Sequence, residues 1–187
     1  MKKPLAFIDV ETTGLNPQLH EIIEISIIKV CPVKGRLNYT SKIKPVHIEY
    51  ASEEALRING YNAKDWRDAP DAETVLSKVS DMLAGCILVG HNVRFDEEFL
   101  SETCHRLGLR CRYERRMIDT VTLALEHLYN LDSVSMDSIR EYFGWAEGHR
   151  ARIDVLQTYV LYYKLNRATA CDRLLWRLQY LLRSLFV

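Results

Sequence analysis

Leu5-Ala6-Phe7-Ile8-Asp9-Val10-Glu11-Thr12-Thr13-Gly14-Leu15 is an apolar run that closes on two carboxylates and a glycine turn. Leu5 to Val10 reads as a buried strand. Side chains alternate across a strand, so Asp9 and Glu11 fall on one face. Burying an unpaired charge is costly, and carboxylates at the end of a core strand therefore call for a compensating group. Oxygen donors suit magnesium or manganese. Two more acids sit in chemically similar places. Asp96 follows a second apolar run, Cys86-Ile87-Leu88-Val89, in Gly90-His91-Asn92-Val93-Arg94-Phe95-Asp96. Asp154 comes five residues after His149 in His149-Arg150-Ala151-Arg152-Ile153-Asp154.

Outward from the first run, Glu21 to Val30 is an isoleucine-rich second strand and Leu37 to Ile43 an alternating third. Their close spacing predicts an antiparallel meander. Pro45 to Trp66 reads as irregular, with a short helix from Ser52 to Arg57. Pro70-Asp71 opens a helix to about Leu83, Cys86 to Val89 is a fourth strand, and Asp96 to Leu107 is helical up to Gly108. Met117 to Thr120 is a short fifth strand before a helix from Val121 to Leu128. Ser135 caps a helix ending near Gly144. Ala151 to Leu165 has apolar residues at helical spacing, and Ala168 to Phe186 is a strongly amphipathic helix. Three strands, then alternating helix and strand, then helices imply an α/β fold with a mixed sheet flanked by helices.

The 187 residues suffice for one domain with a full core. Basic and acidic residues balance at 25 each, which argues against a protein that coats nucleic acid indiscriminately. The charged Met1-Lys2-Lys3-Pro4 is followed by a stretch broken by Asp9 and Glu11, so no secretory leader is expected. No run reaches the ~20 apolar residues of a membrane span. Five scattered cysteines read as free thiols in a reducing cytoplasm, without the paired spacing of a zinc site.

Converging carboxylates can hold two divalent ions about 4 Å apart, a pair that activates water and stabilises the leaving oxygen of a phosphoryl displacement. Five positions are about 140° out of phase on a helix, so His149 is expected in the loop before the helix of Asp154, free to take the proton from that water.

The segments Phe7 to Leu15, Gly90 to Asp96 and His149 to Asp154 together resemble the three exonuclease motifs of the DEDD family, histidine subclass, a group that includes the proofreading subunit of bacterial replicative polymerases. The resemblance runs from about Leu5 to Leu165. It implies a ribonuclease-H-like fold with a five-stranded sheet and 3′–5′ exonuclease activity with two magnesium or manganese ions. Asp9, Glu11, Asp96 and Asp154 would be the ligands and His149 the general base. Thr12, Thr13, Gly14 and Leu15 would receive the terminal nucleotide, and His91, Asn92 and Phe95 would line the channel. Relatives often carry a His-Gly pair where this chain has Asn59-Gly60; Asn59 and Tyr61 would then shape the nucleotide wall. The expected substrate is a single-stranded or frayed 3′ end, DNA before RNA, with RNA trimming as the alternative. Residues 1–167 would form the exonuclease domain. Residues 168–187, past the motifs, would pack on it or dock a polymerase or a second copy of the chain.

Two other classes fit less well. An aspartyl-phosphate enzyme would use Asp9 as nucleophile, but would leave His149 and Asp154 unexplained. A non-catalytic binding module has no reason to keep all four acids. Isolated from the other motifs, Asp9 and Glu11 would read as a turn-capping pair and His91 as a satisfied loop histidine. Arg106, Arg110, Arg112, Arg115 and Arg116 read as a solvated loop before a phosphate patch.

Overall fold

The computed structural model of the chain describes residues 3–128, 131–146 and 150–184. Five strands form one sheet: β1 (Leu5–Thr12), β2 (Ile22–Cys31), β3 (Gly35–Lys42), β4 (Ile87–Gly90) and β5 (Met117–Asp119), in the order β3-β2-β1-β4-β5. β2 runs antiparallel to both β1 and β3, while β4 and β5 run parallel to β1. The expected meander and mixed sheet are both present. β1 lies at the centre with apolar residues on both faces, which explains why its sequence is an unbroken apolar run rather than an alternating one.

The helices are α1 (Glu53–Ile58), α2 (Ala63–Trp66), α3 (Ala72–Leu83), α4 (Val93–Arg106), α5 (Thr120–His127), α6 (Met136–Phe143), α7 (Ala151–Asn166) and α8 (Ala170–Ser184). One face of the sheet buries Ile8, Val10, Ile25, Ile27 and Leu88 with Leu76 and Leu83 of α3 and Leu100 of α4. The other buries Phe7, Ile28 and Val89 against Val155, with Tyr159, Tyr162 and Tyr163 of α7 around them. A third cluster joins α5, α6 and α7 through Ala124, Ile139, Tyr142, Leu161 and Leu165, and Trp176 and Tyr180 of α8 pack against it.

Helix starts follow their capping residues: the side chains of Ser52, Asp71, Asp119 and Ser135 each accept a hydrogen bond from a backbone N–H of the first turn. Three details differ from the sequence reading. Helix α2, capped by Asn62, was read as irregular chain; four residues are too few to show a period. Helix α4 begins at Val93 rather than Asp96, because Asn92 takes a left-handed conformation (φ 66°) that turns the chain immediately after β4. Gly90 permits that turn: a Cβ there would sit 2.9 Å from the Val93 Cα. Finally, Cys104 and Cys111 are joined as a disulfide rather than held as free thiols, because the chain doubles back at the end of α4. Among the described residues, no helix is long and apolar enough to cross a membrane.

Candidate active site

The β1–β4 pairing ends at Phe7 opposite Val89, so β1 projects past its neighbour. Beyond that point Asp9 and Glu11 stand on the α7 side of the sheet. There they meet Asp154 from the first turn of α7, and carboxylate oxygens of the three lie within 4.8 Å of one another. Asp96, in the first turn of α4, lines the same cavity of about 220 Å³ with His91, Asn92, Phe95 and Ile58. Its carboxylate is 4% exposed and accepts a hydrogen bond of 2.9 Å from the Val10 N–H, a donor that β4 is too short to reach. The fourth carboxylate thus borders the cluster of three while fastening α4 to β1.

The electrostatics of this cluster are strained. Burial, then repulsion from Asp96, Asp154 and Glu11, holds the Asp9 carboxyl well above its ordinary range. Burial, then Asp154 and Glu24, pushes Glu11 up to about 7. Burial also raises Asp96. Glu24 faces Glu11 directly across the β1–β2 ladder, an unfavourable like-charge pair. Its carboxylate is nearly buried and meets Arg150 at 3.2 Å. Asp154 is bound by Arg140 of α6, a buried guanidinium that also engages Asp137 and donates through Nε to Gln157 at 2.8 Å. Three hard oxygen donors converging here are a donor set that suits a divalent cation.

The other expected site residues fall into two groups. Thr12, Thr13 and Asn59 are buried and build the loop after β1. Thr12 donates to the Gly14 carbonyl at 2.6 Å, Thr13 accepts from the Glu21 N–H at 2.9 Å, and the Asn59 amide donates to the Thr12 carbonyl at 3.0 Å. Gly14 is packed so closely against His20 that a Cβ would lie 2.4 Å from its ring. Asn59 therefore braces the loop after β1 through its backbone and does not itself line the cavity. His91 contacts Thr120 Oγ1 and the Val134 carbonyl, both at 2.9 Å, and burial lowers its pKa.

Leu15, Asn92 and Phe95 form the accessible group; Leu15 is 82% exposed, Asn92 is exposed, and Phe95 is half-buried against Phe99. Tyr61 packs on Trp66, 5.1 Å between centroids, and is not in the cavity wall. His149 lies outside the described residues. Sequence reasoning missed Ile58 in the cavity wall and the Arg140 and Arg150 contacts. An exposed isoleucine or an arginine at the end of a loop carries no local signal of such a role.

The RNase_T family profile, described as exonuclease, matches residues 6–162. The chain is 32% identical over 160 residues to a PolC-type DNA polymerase III of Caldanaerobacter subterraneus subsp. tengcongensis; the match covers 84% of this chain and 11% of the polymerase. It is 31% identical over 160 residues to Protein NEN1 of Arabidopsis thaliana, covering 82% of this chain and 34% of NEN1. The chain thus spans about a tenth of one relative and a third of the other. Its fold superposes on Exonuclease I of E. coli in complex with a dA16 oligonucleotide with a TM-score of 0.75 at 19% identity, over 92% of this chain and 42% of that one.

Proposed function

Because the chain belongs to the RNase_T exonuclease family, we propose that it is a metal-dependent 3′–5′ exonuclease that releases nucleoside 5′-monophosphates from single-stranded or frayed ends. The observation that carries this reading is the convergence of Asp9, Glu11 and Asp154 where the central strand projects past β4. Two magnesium or manganese ions bound there would supply an activated water and a counter-charge for the leaving oxygen. Asp9, Glu11, Asp96 and Asp154 would hold them, Asp96 also keeping β1 in place through the Val10 N–H. His149, which precedes Arg150 in the sequence, would take the proton from the attacking water.

The terminal nucleotide would rest on the loop Thr12 to Leu15. That loop is held rigid by Asn59 and by the Gly14–His20 contact, and Leu15, Ile58 and Phe95 offer apolar surface to an unpaired base. Extracting such a base from a duplex costs a few kcal/mol, so single strands are preferred. DNA is placed before RNA because the polymerase relative is a DNA polymerase and the exonuclease I complex holds a deoxyadenosine oligonucleotide.

Residues 1–167 would carry the chemistry. Helix α8 would dock a polymerase or a second copy through Leu174, Leu175 and Leu178, each about half exposed. Light scattering of the chain alone separates these two partners. The central experiment is a time course on 5′-labelled single-stranded DNA, matched duplex and RNA with magnesium, manganese or chelator. Full activity in chelator, or products laddering from the 5′ end, would sink the proposal.

A further inference from the structure

Helix α7 covers β1 and β2 but leaves the α7-facing side of the edge strand β3 open. Two cavities of about 570 and 460 Å³ lie there end to end, sharing Thr40, Arg152 and Leu156 as walls. The first begins at Glu24 and Arg150, beside the carboxylate cluster; the second continues along β3 to Arg36. The floor is polar: the Ser26 and Thr40 hydroxyls are hydrogen-bonded to each other at 2.7 Å, with Asn38 beyond them. The rim toward α7 is aliphatic, with Leu156 47% exposed. Lys42, Arg150, Arg152 and Arg36 supply four cations along the walls, and Glu24, already engaged by Arg150, is the one acid.

The charge here is segregated in a chain whose net charge is zero. Among the described residues, Arg36, Arg152 and Lys42 form no ion pair. Two of them are steadied on aromatic faces instead: Lys42 over Trp66 at 3.9 Å and Arg36 over Tyr159 at 5.7 Å. A groove with unneutralised cations, hydroxyl and amide donors on its floor and an apolar rim matches a polyanion that also carries sugars and bases.

We propose that this groove between α7 and β3 binds the phosphodiester backbone of the single strand upstream of the nucleotide held at the carboxylates. The inference rests on the exonuclease reading for its direction, but binding can be measured without catalysis. The test uses the full chain in chelator, with a 5′-fluorescent deoxydodecanucleotide followed by anisotropy across a salt series. Arg36→Glu combined with Arg152→Glu should weaken binding at least ~10-fold. Each lost contact should flatten the dependence of log affinity on log salt by about 0.7. With magnesium present, the variant should also lose the wild-type preference for the dodecanucleotide over a dinucleotide.

Lys78→Glu with Arg110→Glu, on the α3–α4 side, changes net charge equally and serves as control. Unchanged affinity and salt slope in the groove variant, or equal weakening in the control, would overturn the proposal. If wild-type protein releases no nucleotide from either substrate yet the binding contrast holds, the exonuclease reading fails and the groove stands.

Discussion

The two halves of the carboxylate cluster are supported in opposite ways. On the strand side, burial first, and then repulsion from Asp96, Asp154 and Glu24 and between the two groups themselves, weakens the acidities of Asp9 and Glu11. On the helix side, Asp154 is grasped by Arg140, which is itself fixed by Gln157 and Asp137. The strand contributes negative charge that folding leaves in deficit of a counter-ion. The helix contributes a carboxylate whose orientation is set in advance by a buried arginine. With a metal bound as proposed, such a site would divide its tasks: the strand would attract the cation, and the helix would fix the geometry into which it must fit.

The hardest test of that division removes a carboxylate from each side. Asp9→Ala and Asp154→Ala should each lose nearly all hydrolysis and the melting-temperature increase that manganese gives the wild-type protein. The two should differ without metal. Asp9→Ala relieves repulsion and should melt no lower than wild type, whereas Asp154→Ala strands Arg140 and should melt lower. Identical melting of both metal-free variants would erase the proposed asymmetry. As the proposed base, His149 should not be needed to hold metal. His149→Ala should reduce the rate by ~10² to 10⁴ and leave manganese affinity, measured by calorimetry, unchanged. A wild-type rate in that variant would refute its role.

Arg140 sharpens the comparison further, because it is hydrogen-bonded to Asp154 while its charge also acts on Asp9. Arg140→Ala leaves Asp137, Gln157 and Asp154 without their shared partner and should cost about 3–5 kcal/mol of stability, the range for breaking a buried ion pair. Arg140→Lys keeps the charge but not the fork of donors. It should fold, yet bind manganese ~10–100-fold more weakly, as loss of an orienting partner does. Unaltered manganese affinity in Arg140→Lys would make the arginine purely structural.

How much of this was legible in the sequence follows the range of the interactions. Strand β1, its two carboxylates and the turn at Gly14 are local features, readable from an apolar run and its punctuation. The pairing of Asp9 and Glu11 with Asp154 was legible because the three motifs were read as one set. The tasks of Asp96 and Asn59 as fasteners were not, since each depends on a backbone group far away in sequence, Val10 and Thr12. Arg140 is separated from Asp154 by 14 positions and a loop, and nothing in Met136 to Phe143 distinguishes a clamp from a solvated helix arginine. The Cys104–Cys111 pair was missed for the converse reason: composition suggested a compartment, while the bond depends on how the chain turns after α4.

The smallest expected effect tests whether the strand side is as poorly compensated as its acidities indicate. Glu24 and Glu11 are directly paired across β1 and β2, and Arg150 at the start of α7 is the cation that reaches Glu24. The Arg150 side chain is 45% exposed, so water screens much of its attraction, and the value of the contact lies mainly in answering a nearly buried carboxylate. Arg150→Gln should therefore destabilise the metal-free protein by only about 1 kcal/mol. Glu24→Gln removes the like charge opposite Glu11 while keeping the shape, and should be neutral or slightly stabilising. The double variant should resemble Glu24→Gln alone, since the arginine has nothing left to answer. Equilibrium urea unfolding in chelator measures all three. If Glu24→Gln is the more destabilising single change, the Glu24–Arg150 contact outweighs the repulsion across the ladder, and the strand side is better compensated than its crowding of carboxylates implies.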